Sequence, residues 1–181
     1  MVNNGKAKIE KTFNELKIII PSEKNWFFQI FGTAWMGGWF FGFIMVSEKI
    51  FFSEISYSGA NLFVLFWLIA WTVGGLIVAR ALLWGYFGQE KFMTDRSEVF
   101  FEKTVFGMGK KMRLDISEIK NFRVEIIIDS ESRRKNDTSW GLGGGKIKFD
   151  YGLKTYSFGL SVDDAEAEYI VGLLKEQFKE Q

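Results

Sequence analysis

The densest group of chemically capable side chains lies in Asp129 to Gly145, DSESRRKNDTSWGLGGG, where Arg133, Arg134 and Lys135 stand side by side ahead of Trp140. Three adjacent cations at a membrane surface attract anionic head groups at about 1 kcal/mol each, and an indole suits the interface as an anchor. The same stretch also reads as a solvated loop tip, with Trp140 filling the fold and Asp129, Glu131 and Asp137 diluting the charge. Gly141 to Lys146, GLGGGK, resembles a phosphate loop only superficially. Trp140 stands where the first glycine is needed and Ile147 where Ser or Thr is needed, and a strand rather than a helix is expected next. Asp163 and Asp164 are paired carboxylates, but the first turn of a helix favours acids through its dipole alone, so no metal site is read there. Lys110, Lys111 and Arg113 alternate with Met112 and Leu114 and are expected to form a basic stripe on one strand face. From Phe87 onward sixteen Lys and Arg meet seventeen Asp and Glu. With that balance and no stacking aromatics beside the stripe, nucleic acid is not an expected partner.

The chain has no His and no Cys. That removes imidazole acid–base catalysis, thiol nucleophiles, disulfides and the usual zinc, haem and iron–sulfur ligands. No convergent set of Asp, Glu, Tyr, Ser or Lys replaces them, so the expectation is a non-enzymatic protein without a cofactor or metal. A net charge of +1 over 181 residues gives no global field to steer a charged partner.

Those side chains must be carried by something, and 48% hydrophobic with 18% aromatic residues is high for a soluble domain. Trp26 to Val46 and Gly59 to Ala79 are each twenty-one residues without a charge. A helix of that length reaches about 31 Å, the thickness of bilayer hydrocarbon, so two transmembrane helices are expected at 26–46 and 59–79. The remaining chain is too polar to wrap two such helices as core elements of a soluble protein.

Within the spans, Trp35 with Trp39 and Trp67 with Trp71 are spaced i, i+4, and each pair makes a one-sided aromatic ridge facing lipid or another protein. Gly38 and Gly42 form GxxxG, while Ala70 with Gly74 and Gly75 with Ala79 are small-xxx-small pairs. Such pairs permit close backbone approach, within the hairpin or between subunits. The missing His argues against a pigment or haem between the helices. Lys6, Lys8, Lys11, Lys17 and Lys24 precede the first span and Arg80, Lys91 and Arg96 follow the second, against Lys49 alone in the connector. The positive-inside rule then predicts a multi-pass protein of the cytoplasmic membrane with both termini cytoplasmic. No secretory signal is read in the first twenty-five residues.

Near Phe87 to Gln89 the composition changes to alternating polar and apolar residues, which predicts a soluble domain over 87–181 behind a hairpin over 26–86. Strands are expected at 90–95, 98–106, 110–114, 120–128, 146–151 and 154–158, joined as a meander by turns at Phe106 to Gly109, Asp115 to Ile119 and Tyr151 to Leu153. Phe122, Val124, Ile126 and Ile128 should share a face. A helix over about 162–178 follows, with Ser161 and Asp164 in capping-box spacing and an apolar face of Ala167, Ile170, Val171, Leu174 and Phe178.

The runs VFGMGKKMRLDISEIKNFRV (Val105 to Val124), KIKFDYGLKTYSFG (Lys146 to Gly159) and LSVDDAEAEYIV (Leu160 to Val171) carry a resemblance. They resemble small bacterial membrane proteins that couple a two-helix transmembrane hairpin to a pleckstrin-homology-like (PH-like) domain. The resemblance implies a membrane α-helical hairpin plus an α+β soluble domain, a PH-like antiparallel barrel or sheet closed by a C-terminal helix. It brings no activity and no catalytic residues. The expected function is a scaffold or accessory subunit of a larger membrane complex, with membrane lipids and other subunits or copies of itself as partners. The alternative is a sensor of anionic head groups.

The tail, residues 1–25, contains FNELKIII at 13–20 before Pro21. Three consecutive isoleucines favour an added edge strand on the soluble sheet over an amphipathic stretch lying on the membrane.

Overall fold

A computed structural model of the chain describes residues 5–13, 15–52, 59–125 and 144–179. The elements are β1 (Lys8–Lys11), β2 (Leu16–Pro21), α1 (Trp26–Phe52), α2 (Gly59–Phe87), β3 (Gly88–Thr94), β4 (Glu98–Val105), β5 (Met108–Asp115), a 3-10 turn (Ile116–Glu118), β6 (Ile119–Val124), β7 (Ile147–Tyr151), β8 (Lys154–Phe158) and α3 (Asp164–Lys179). This is an α+β fold of three helices and two antiparallel sheets among the described residues. The chain divides into two units, Lys24–Leu83 and the remainder.

In the larger unit the period-two pattern sets the sheet faces. Leu16, Ile18 and Ile20 of β2, Phe92 of β3 and Val99 and Phe101 of β4 are all buried on one side. The first sheet runs in the order β1-β2-β3-β4-β5 and the second β6-β7-β8. The expected single meander is therefore two sheets, broken at the 3-10 turn. There Asp115 Oδ1 accepts from the Ser117 hydroxyl at 2.6 Å and the Ser117 amide at 2.9 Å. Those two hydrogen bonds hold the Asp115 carboxyl below the usual carboxylate range.

Strand β2 is paired on both sides, with β1 and β3, so it is an interior strand rather than the edge strand anticipated. The edge is β1. In the second sheet a bulge interrupts β6 between Lys120 and Arg123, with Asn121 at φ 60°. Asn tolerates that left-handed conformation better than most residues. Phe122 is buried and Val124 partly so, while Ile126 and Ile128 lie outside the described residues.

Phe92, Phe101, Phe122, Phe149 and Phe158 meet at the centre, with Phe92 stacked on Phe158 at 5.0 Å. Helix α3 lays Ala167, Ile170, Val171 and Leu174 against that core, and Phe178 packs edge-on to Phe122 at 4.8 Å. Its cap is Asp163, whose Oδ1 accepts from the Glu166 amide at 2.7 Å. Ser161, expected to cap, instead donates its hydroxyl to the carbonyl of Pro21. The helix starts two residues too late for Ser161 to cap its amides.

A buried carboxylate ties the first sheet to the segment leading into α3. Glu90, 2% exposed, accepts from the amides of Gly159 at 2.7 Å and Leu160 at 2.9 Å. Lys103, its cross-strand neighbour, approaches the other oxygen at 2.8 Å, off the hydrogen-bond direction. Burying a charge is costly unless it is paired and hydrogen-bonded, and Glu90 is both.

Candidate functional site

Among the described residues, no group of three or more Asp or Glu is placed to hold a metal ion. A cavity of about 270 Å³ lies between β1 and the start of α3, lined by Gly5, Ala7, Ile9, Asp163, Glu166 and Tyr169 among others. Of its two carboxylates, Glu166 accepts from the Ala7 amide at 2.7 Å and Asp163 from the Glu166 amide at 2.7 Å, so both are engaged in holding β1 and the start of α3. Arg133, Arg134, Lys135 and Trp140 lie outside the described residues.

The basic residues of β5 do not form one stripe. Strand alternation sends Lys111 and Arg113 to one face, where Arg113 sits over the Phe100 ring at 5.1 Å and meets Glu98 at 3.4 Å. Lys110 goes to the other face, over the Tyr156 ring at 6.0 Å. On the second sheet, Asp150 receives the Arg123 guanidinium at 2.8 and 3.0 Å, the Thr155 hydroxyl at 2.7 Å and the Asn121 amide at 2.8 Å. The guanidinium first, then the hydroxyl and the amide, hold its carboxyl well below the usual carboxylate range. This cluster braces the β6 bulge and has no open valence for a substrate.

The unit Lys24–Leu83 holds α1 and most of α2, which are long and apolar enough to cross a membrane over Trp26–Lys49 and Leu62–Phe87. The two helices of this unit pack through reciprocal aromatic–glycine contacts. Trp39 covers Gly75 so closely that a Cβ there would collide with the indole, and Trp71 lies over Gly42 so that a Cβ there would meet the indole at ordinary contact distance, 3.4 Å. The rings of Trp39 and Trp71 meet edge-on at 6.2 Å, and Trp67 meets Trp71 at 4.1 Å. Trp39 and Trp71 thus point at the neighbouring helix, while Trp35 and Trp67 are 46% and 42% exposed. Gly37, Gly38 and Gly74 face open space. Ala70 is exposed and Ala79 partly so. One member of each Trp pair and of the Gly38/Gly42 pair packs internally while the other faces out, Gly75 packs under Trp39 with Ala79 partly exposed, and both Ala70 and Gly74 face out. Gly32 against Leu82 is a further close approach that the spacing search missed, because Gly32 has no small partner four residues away.

A second apolar surface belongs to the sheet unit. Phe106 and Met108, at the turn between β4 and β5, are 61% and 75% exposed. The Phe106 ring lies 4.3 Å from that of Phe87, the last residue of α2. Sequence pattern had marked this turn only as a connection; the signal available was an aromatic in a two-residue turn.

Comparison with family models, with curated proteins and with solved structures finds no match to this chain.

Proposed function

We propose that the chain is a membrane-anchored, non-enzymatic module that serves as a scaffold or accessory subunit of a larger membrane protein complex. The helical hairpin is its anchor and docking element, and the sheet unit is a PH-like domain held at the cytoplasmic face. Membrane insertion is supported by exposure: only 6% and 11% of the two most apolar helix windows is buried, whereas a core helix of a soluble protein is covered on most sides. The PH-like reading is supported by two antiparallel sheets in chain order followed by one helix packed on their core.

The observation that carries the docking role is what the hairpin leaves unused. Its own packing consumes Trp39, Trp71, Gly42 and Gly75, and leaves Gly37, Gly38 and Gly74 with nothing against them. In lipid, where apolar surface gains nothing by meeting apolar surface, such small residues promote helix association by close packing. Extraction in a membrane-preserving polymer tests this. The wild-type chain is expected in a species larger than the monomer, and Gly38→Ile or Gly74→Ile should release the monomer. A free monomer under every mild condition would remove the docking role.

A further inference from the structure

We propose that the β4–β5 hairpin tip is a membrane-inserting element, with Phe106 and Met108 seated among the head groups of the leaflet in which α2 ends. The proposal rests on the membrane reading of α2 and adds a second contact of the chain with the bilayer.

The turn itself is unusual. Val105 pairs with Met108, so the loop is the two residues Phe106 and Gly107, at φ 51° and 76°. Two consecutive positive φ values mark the type I′ hairpin turn, whose first position is normally Asn, Asp or Gly. A bulky aromatic is strained there by its own Cβ. The ring gains little burial in return, resting against Phe87 and still 61% exposed, and Met108 beside it is 75% exposed. A strained and solvent-facing apolar residue at a loop tip points to a binding role.

Depth agrees with insertion. Leu62–Phe87 is 26 residues, about 39 Å of helix, which exceeds the ~30 Å hydrocarbon and fits the bilayer with its head groups. Arg80, exposed and two turns before Phe87, belongs near the interface, which puts the Phe87 end in the head-group layer. Phe106 lies 4.3 Å from Phe87, so its depth differs from that of Phe87 by no more than that distance.

Charge agrees as well. From Val105 to Leu114 there are Lys110, Lys111 and Arg113 and no acid. Lys111 is only loosely engaged by Glu102 at 4.0 Å, while Lys110 lies over Tyr156 and Arg113 meets Glu98. An apolar tip flanked by cations matches an anionic lipid surface. The apolar surface is also continuous with exposed Phe87 at the end of α2, so the bilayer that α2 is proposed to cross is the apolar phase nearest to it.

The absence of cysteine makes the test direct. Single cysteines replacing Phe106, Met108, Leu76 and Leu153 are labelled with a fluorophore in the full chain, reconstituted into vesicles of phosphatidylcholine and phosphatidylglycerol carrying spin-labelled lipid, with the spin label at the head group for 106, 108 and 153 and deep in the acyl chain for 76. Met108 is included because its backbone is not in the positive-φ region. Leu76, 65% exposed in α2, reports the span, and Leu153, fully exposed in the β7–β8 turn, reports water. The labels at 106 and 108 are expected to be quenched by lipid at least about twofold more than the label at 153, and to be shielded from aqueous iodide. If 76 is quenched but 106 and 108 behave like 153, the tip is in water and the proposal fails while the membrane reading stands. If 106 and 108 are shielded from iodide yet unquenched by lipid, protein covers the tip and the proposal again fails. If 76 is unquenched as well, the membrane reading fails and takes this one with it.

Discussion

Ser22 donates its side-chain hydroxyl to the backbone carbonyl of Gly85 at 3.0 Å, and its amide donates to the carbonyl of Gly88 at 2.9 Å. Ser22 lies just before α1 and Gly85 in the last turn of α2, so the chain leaves the sheet unit and returns to it at one place. The pairing of Pro21 with Gln89 extends the join into the sheet. On the membrane-anchored reading proposed above, a hairpin whose entry and exit are joined in this way would enter and leave the bilayer on the same side. The same geometry makes β2 a structural partner of β3 rather than a loose leader.

Deleting residues 1–20 should therefore destabilise the sheet unit and not merely impair insertion. It removes β1 and most of β2 and exposes the edge of β3, including the burial of Leu16, Ile18 and Ile20. Ile18→Ala alone is expected to cost about 2–5 kcal/mol as a large-to-small change at a fully buried position. Hydrogen exchange of the full chain should show protected amides across Leu16 to Ile20; fast exchange there would contradict the interior placement of β2.

Glu90→Ala should cost about 3 kcal/mol or more, because it strands the buried amides of Gly159 and Leu160 and leaves Lys103 without its counter-ion. Glu90→Gln keeps one acceptor for those amides and should cost less. Denaturant unfolding of the two variants checks the order, and equal losses would mean that the charge rather than the acceptor matters.

The long periodic elements were legible from the residues, and the misreadings have physical causes. The spans were bounded at Val46 and Ala79 by the first charges, yet the helices continue to Phe52 and Phe87. Glu48, Lys49 and Arg80 are good helix formers, and a backbone helix does not stop where an apolar run stops. Strand β1 went unseen because in KIEK only Ile9 is apolar, and an edge strand needs no alternation when neither face is deeply buried. The break into two sheets is invisible because a single 3-10 turn reads like any hairpin connection. Spacing showed which tryptophans share a helix face, but it could not say that Trp39 and Trp71 look inward, since that depends on the rotation of each helix against the other. The candidate cations Arg133, Arg134 and Lys135 gain no structural placement, being outside the described residues.

Gly75→Val should disrupt the hairpin, whereas Gly74→Val should leave its internal packing alone. A side chain at 75 runs into Trp39, while at 74 it meets open space. Overpacking of this kind costs about 1–3 kcal/mol. The tryptophan near-ultraviolet circular dichroism of the two variants distinguishes them, and equal perturbation would contradict the placement of Trp39.

Asp150 gives the sheet unit an acid-sensitive brace. Its pKa is lower folded than unfolded, so the unfolded chain takes up the proton first as pH falls. The stability it contributes is complete above its unfolded value of about 3.9 and is lost as the pH drops toward the folded value. Asp150→Asn should therefore show a shallower loss of stability on acidification below about pH 4 than the wild type, measured by denaturant midpoints. Parallel curves would mean that the Arg123 pair is not maintained in solution.

The membrane-anchored reading stands or falls on the sidedness of the hairpin, and single cysteines placed at Glu23, Ser47 and Thr155 of the otherwise cysteine-free chain measure it in sealed vesicles. The account predicts that a membrane-impermeant thiol reagent labels position 47 from one side only and positions 23 and 155 from the other side only, because Ser22 and Gly85 hold both ends of the hairpin together. Labelling of all three positions from the same side, without permeabilisation, would show that the helices do not cross the bilayer and would contradict the account.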